Sequence, residues 1–231
     1  MFAINHSATA LLVKRKYPAA PTLWLLLSVQ LMEILWVIFN YLGLERTTTE
    51  QTVESVSDVH LAYMPYSHSI LSGLLLAIAG YYVARKLSSN RSVGLAVGLA
   101  IVSHLILDLI THAPDIALAP GINQLKLGLG LYGRAPMVAF VLEIVYGAFC
   151  WLVFRGSKTL LAVILLFNLG NLSMLSSAVR GPEELLAGHP SIIVTVIAVQ
   201  IAVTLALVWA LSGRDGSRKR QAVVETGAFV P

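Results

Sequence analysis

Glu33, Asp108 and Glu143 are carboxylates set inside long apolar stretches, and His104 shares a stretch with Asp108. His68 and His112 stand near the ends of such stretches, and His6 sits in a shorter apolar run at the start of the chain. Asp at the middle of a membrane helix costs about 2.5–3.5 kcal/mol on insertion scales, so each buried acid needs a partner. His104 and Asp108 are four residues apart, which puts both on one helix face, one turn from each other. Gln30, Glu33 and Asn40 share a face of an earlier helix in the same way. Imidazole nitrogen and carboxylate oxygen together suit Zn²⁺, Mn²⁺ or Fe²⁺. Cation and carboxylate each lower the cost of burying the other, so metal binding is the chemistry this set favours. From position alone, His104 with Asp108 reads as a ligand pair. His68 reads equally as a ligand or a helix contact, and Glu33 as a ligand or a proton relay. Glu143 reads as a ligand, a general base or a partner to a ligating histidine.

The elements that must position these groups follow from composition. The chain has 231 residues, 57% hydrophobic and 12% charged, with mean hydropathy +0.77. That charged share is about half the roughly 25% usual in soluble domains. Such a balance excludes an ordinary soluble enzyme, a disordered chain, a collagen-like fibre and a disulfide scaffold; the lone Cys150 forms no internal disulfide. The fold predicted is all-α and integral to a membrane. Six stretches approach the ~20 apolar residues a spanning helix needs: 22–44, 68–83, 93–111, 135–154, 159–179 and 191–211. Residues 2–13 are too short to span. They lie flat on the inner surface or dip in as a re-entrant half-helix, and the second reading is preferred because it carries His6 inward. Residues 1–212 form one polytopic domain with the site in 2–145, and 213–231 read as a basic, disordered cytoplasmic tail. The loop 125–133 reads as an irregular outer connection. The GxxxG of Gly94 and Gly98 permits close helix contact.

Twelve of the 16 Lys and Arg residues fall on one side of this arrangement, which makes both termini cytoplasmic. At ~1.5 Å per residue, Glu33, His104 and Glu143 each lie roughly 18 Å from the inner boundary, Asp108 and His68 roughly 24–25 Å, and His6 roughly 12 Å beyond Lys14. Independent helices thus deliver carboxylates and imidazoles to one slab, open toward the outer face.

Three segments occur in order: Asn5-His6-Ser7, Pro65-Tyr66-Ser67-His68-Ser69 and Ser103-His104-Leu105-Ile106-Leu107-Asp108. In these the chain resembles the YdjM-type family of inner-membrane proteins, described as membrane-bound metal-dependent hydrolases. The resemblance covers about residues 2–145 and implies an inner-membrane location and a ligand set of His6, His68, His104 and Asp108. A Pro-Asp-x-Asp-His stretch carried by many members is replaced here by Gln30–Trp36, where Glu33 is the acid that remains, so one metal is expected rather than two.

The leading functional expectation is a membrane-embedded hydrolase of a lipid-like ester or phosphoester. Its divalent metal, zinc foremost, is held by His68, His104 and Asp108 with His6 or Glu33. Glu143 or Glu33 acts as general base, and His112, Asp115 and Lys126 face the substrate headgroup. Membrane lipids are the expected surroundings, and no nucleic-acid partner is expected. Two alternatives stand beside it: a proton- or metal-ion-coupled transporter, and a non-catalytic protein whose polar cluster only locks helix packing. Asp108→Ala is expected to abolish bound metal while His189→Ala keeps it, read by elemental analysis of the purified protein.

Overall fold

The computed structural model describes residues 1–122, 125–176, 178–179 and 181–226, with the side chains of 184 and 213–226 left out. Helix α1 (Ala3–Lys16) buries Ile4 through Leu11 without a break and ends in Lys14, Arg15 and Lys16, cations that suit a helix C-terminus. It runs through the interior of the bundle, packed against the spanning helices, and does not lie on the surface. Pro18 and Pro21 then turn the chain into α2 (Thr22–Val29).

The expected first span is broken. α2 and α3 (Leu31–Tyr41) meet at Gln30 with a bend of 53°. Gln30 leaves helical geometry (φ −107°, ψ 3°), and its Nε2 donates instead to the carbonyl of Ala3 at 2.7 Å. Beyond α3 the chain forms a small antiparallel hairpin, β1 (Arg46–Thr49) with β2 (Val59–Tyr63). Helices α4 (Ile70–Ser88) and α5 (Arg91–Thr111) follow as a tight antiparallel pair. Ser69 caps α4 through Ser72 N–H, and Asn90 caps α5 through Ser92 N–H. A second short hairpin, β3 (Ile116–Ala117) with β4 (Lys126–Leu127), bridges to the one-turn helix α6 (Leu131–Arg134). α7 (Pro136–Phe154) opens with proline at its first position, α8 (Lys158–Gly170) is capped by Ser157, and α9 (Pro190–Thr226) closes the bundle.

Among the described residues, four helices are long and apolar enough to cross a membrane, α4, α5, α7 and Pro190–Ser212 of α9, or five if the bent α2–α3 pair counts as one. One of the six expected spans, 159–179, is not matched by a helix of that length. There the helix ends at Gly170, 13 residues long, or roughly 20 Å. Asn171 turns its Nδ2 back to the Phe167 carbonyl, and a 3₁₀ turn over Ser173–Leu175 replaces the continuation. The two hairpins are also additions to the expected all-α picture. The backbone of α9 runs to Thr226, into the stretch assigned to the tail, and 227–231 lie outside the described residues.

The outward faces are apolar, with Leu75, Ile78 and Tyr82 exposed on α4 and Val141, Val145, Phe149 and Leu152 exposed on α7. Such faces suit hydrocarbon. Among the described residues the interior holds one large apolar cluster, including Leu11, Leu25, Leu26, Val29 and Ile101, and two smaller ones, around Met32, Trp36 and Leu105 and around Tyr132, Phe140 and Leu175. The polar residues of the site occupy the region these clusters border. The GxxxG has a plain packing role: a methyl group on Gly94 would come within 2.7 Å of the Tyr81 backbone carbonyl on α4. A backbone atom cannot swing aside, so Gly94→Ala is expected to destabilise the α4–α5 pair by about 1–3 kcal/mol, measured as a lowered melting temperature in detergent.

Candidate metal centre

Three elements converge. The inward face of α5 carries His104, Asp108 and Thr111, all buried. His68 precedes α4 in a turn closed by its own N–H on the Met64 carbonyl, at 3.0 Å. Glu33 stands in the first turn of α3, directly after the bend. One ligand atom from each of Glu33, His68, His104 and Asp108 lies within 4.8 Å of the others. His68 Nε2 is 3.3 Å from His104 Nε2, 3.2 Å from Glu33 Oε2 and 3.7 Å from Asp108 Oδ2. His104 Nε2 is 2.9 Å from Asp108 Oδ2 and 3.7 Å from Glu33 Oε2. Ligand bonds of about 2.0–2.2 Å in a tetrahedron set donor atoms roughly 3.3–3.6 Å apart. The observed edges bracket that range.

The protons lie behind the cluster. His104 Nδ1 sits 2.6 Å from the carbonyl of Val29, the last residue of α2 before the bend, so Nδ1 carries the hydrogen and Nε2 presents a lone pair. His68 Nδ1 is engaged on its far side by Ser67 Oγ at 2.8 Å. Asp108 Oδ2 is buried with no hydrogen-bond partner, because the nearby His104 nitrogen has no proton to give it. The lone pair of His104 Nε2 therefore faces Asp108 Oδ2, acceptor to acceptor, with side-chain exposure of 0% for His104, 1% for His68 and Asp108, and 20% for Glu33. Buried acceptors left unpaired are costly, and a cation satisfies all of them at once. The donor set fits a divalent ion of the zinc, manganese or iron type.

His6 is beside this cluster and not among its four residues. Its ring stacks on that of His104 with centroids 4.0 Å apart, its Nε2 is 3.1 Å from Asp108 Oδ1, and its Nδ1 is buried without a partner. The amino group of Met1 also reaches Asp108 Oδ1, at 2.8 Å. A cavity of about 610 Å³ opens over the cluster. Glu33, His6, His112, Asp115 and Lys126 line it together with Trp36, Leu61 and Ile197. The three expected headgroup contacts are thus brought to one chamber. His112 Nδ1 pairs with Asp115 Oδ1 at 3.6 Å. Burial works to lower the His112 pKa, and the charges of Asp108 and Asp115 outweigh it, so the net shift is upward.

Glu143 is elsewhere. The Tyr132 hydroxyl and Asn5 Nδ2 donate to its carboxylate, as does the Phe2 N–H at 3.2 Å, and Asn5 also bonds Asn168 of α8 at 2.9 Å. This carboxylate ties α1, α6, α7 and α8 together. It does not line the cavity, and the structure does not bring it into the cluster as a ligand or a base. Burial, with Glu143 beside it, holds the Tyr132 phenol well above its ordinary pKa, so it remains a donor. Val29, Glu45 and Ser67 were missed among the residues that serve the site. Ser67 adjoins His68 in the sequence, a signal within reach; a backbone carbonyl freed by a helix break leaves none.

The family model for the YdjM inner membrane protein matches residues 57–180, more than half of the chain. The chain belongs to the YdjM family of inner membrane proteins. No curated protein and no solved structure matches it. The YdjM match takes in His68, His104, Asp108 and Glu143, while His6, Glu33 and Glu45 come before it. The buried His/His/Glu/Asp cluster of this YdjM-family protein is consistent with a metal-binding site.

Glu143→Gln is expected to turn one acceptor into a donor facing Asn5 or Tyr132. That costs about 1–3 kcal/mol of stability per mispaired group while bound metal is retained. Glu33→Gln has the opposite signature, with weaker metal binding and a little-changed melt. Calorimetry and metal titration of the two variants separate them.

Proposed function

We propose that the protein is a membrane-embedded, metal-dependent hydrolase acting on a lipid-like ester or phosphoester. The observation that carries this reading is the convergence of four acceptor atoms, with Asp108 Oδ2 orphaned among them, at the base of an apolar-walled chamber. Glu33, His68, His104 and Asp108 would hold one divalent cation, zinc foremost. When bound, it supplies positive charge that polarises the scissile group and eases removal of a proton from water.

The chain's own residues account for the remaining requirements. Glu33 turns Oε2 toward the imidazoles and is the cluster residue that also lines the cavity, so Oε1 is placed to accept the proton of the nucleophile; of the two bases offered by the sequence, Glu33 takes the role. His6 lines the same chamber with Nδ1 unpartnered, placed to exchange a proton with a leaving group. Lys126 lines the wall as a cation for an anionic headgroup, His112 and Asp115 flank it, and Trp36, Leu61 and Ile197 shelter an acyl chain.

On the far side of Val29 the interior continues as apolar core through Leu25, Leu26 and Leu11. That packing supports a one-sided chamber over a carrier's through-path. The Lys and Arg distribution supports cytoplasmic termini in the inner membrane, with the chamber toward the outer leaflet.

The test is metal quantification on protein purified without chelator, followed by hydrolysis of short-chain ester and phosphoester lipids in detergent. About one divalent ion per chain is expected, lost in His104→Ala along with turnover, whereas Lys126→Ala raises KM for anionic substrates and leaves kcat. Transmembrane flux of Zn²⁺ or Mn²⁺ in liposomes driven by a pH gradient would instead establish the carrier.

A further inference from the structure

We propose that Glu45 and Ser67 are positioning residues that decide which nitrogen of His68 faces the cluster; this rests on the metal reading of that cluster. Glu45 lies just ahead of β1 and is 2% exposed. Its Oε1 accepts the backbone N–H groups of Tyr66 at 2.9 Å and Ser67 at 2.8 Å. Its Oε2 accepts the Ser67 hydroxyl at 2.6 Å.

A hydroxyl has one proton, and here it is committed to Glu45. Toward His68 Nδ1, 2.8 Å away, Ser67 Oγ can then only accept. Nδ1 therefore carries the imidazole hydrogen, and Nε2 presents its lone pair to Glu33, His104 and Asp108. The polarity runs from imidazole to hydroxyl to carboxylate. It fixes tautomer and ring orientation as a directly bonded carboxylate does behind a ligating histidine. A purely local role for Glu45 in closing the turn over Tyr66 and Ser67 accounts for Oε1. It does not account for a hydroxyl bridging Oε2 to the ring.

Glu45→Gln reverses this chain with almost no change of shape. The amide oxygen still accepts the two backbone N–H groups, but the amide nitrogen now donates to Ser67 Oγ. The hydroxyl proton swings to His68 Nδ1, and the imidazole hydrogen moves to Nε2, where it blocks a ligand atom. In the purified full chain, Zn²⁺ affinity by competition with a chromogenic chelator is expected to fall 10–100-fold in E45Q. Ser67→Thr, which keeps the hydroxyl, stays close to wild type. In metal-free protein with ¹⁵N-labelled histidine, His68 is expected as the Nδ1–H tautomer in the wild type and as Nε2–H in E45Q, a readout that a merely structural role would not move. If E45Q does not fold, Ser67→Ala takes its place, with the same loss of affinity expected. The two failures separate cleanly. A wild-type chain that takes up no Zn²⁺ sinks the metal reading. Wild-type affinity in E45Q or S67A, or an Nε2–H tautomer already present in the wild type, sinks this one.

Discussion

Two lone-pair nitrogens and two carboxylate oxygens facing one another inside an apolar bundle form the constraint on which the rest of this structure depends. Like-signed partial charges repel most strongly where water cannot screen them, so this arrangement persists only if its surroundings hold it in place. The surroundings do so from three sides. The Val29 carbonyl at the end of α2 holds His104, the Ser67–Glu45 chain at the start of α4 holds His68, and the first turn of α3 aims Glu33. Asp108 is locked to the face of α5 one turn after His104.

The bundle contains a second polar nucleus, and the contrast is informative. Around Glu143, both carboxylate oxygens are met by donors: the Tyr132 hydroxyl, the Asn5 amide and the Phe2 N–H. That nucleus is complete without any ligand, and its effect is mechanical, since it anchors α1 and with it His6 beside His104. The carboxylates of Asp108 and Glu143 thus serve different ends. Matching of donors to acceptors, and not depth, distinguishes them.

Depth was nevertheless what the sequence offered. Spacing placed His104 and Asp108 on one face, and hydropathy placed Glu33, His68 and Glu143 in the same slab, which groups Glu143 with the cluster although its carboxylate bonds Asn5 and Tyr132. Of the residues that satisfy Glu143, Asn5 lies far from it in the chain, and Tyr132, though nearer, comes from a loop read as irregular. The spanning helices were legible from their apolar runs. The bend at Gln30 was not, because what stabilises it is a tertiary bond to the Ala3 carbonyl, and local propensity carries no trace of that. The shortfall of α8 has a local cause in the Gly170–Asn171 ending, which hydropathy averages over. His112, Asp115 and Lys126 were legible as a group because the end of α5 and the β3–β4 hairpin keep them close to the helix that carries Asp108.

The bend between α2 and α3 also ties the site to the pose of a whole helix. Val29, which clasps His104, belongs to one limb of the elbow, and Glu33 belongs to the other. The α3 limb is fastened near its tip to α9, where the Tyr41 hydroxyl meets Thr195 at 2.6 Å. Opening the elbow by a few degrees would draw Glu33 away from the imidazoles while leaving His104 clasped. The angle of the joint and the tightness of the cage are therefore a single mechanical variable, and anything that leans on α9 in the bilayer has a lever on it.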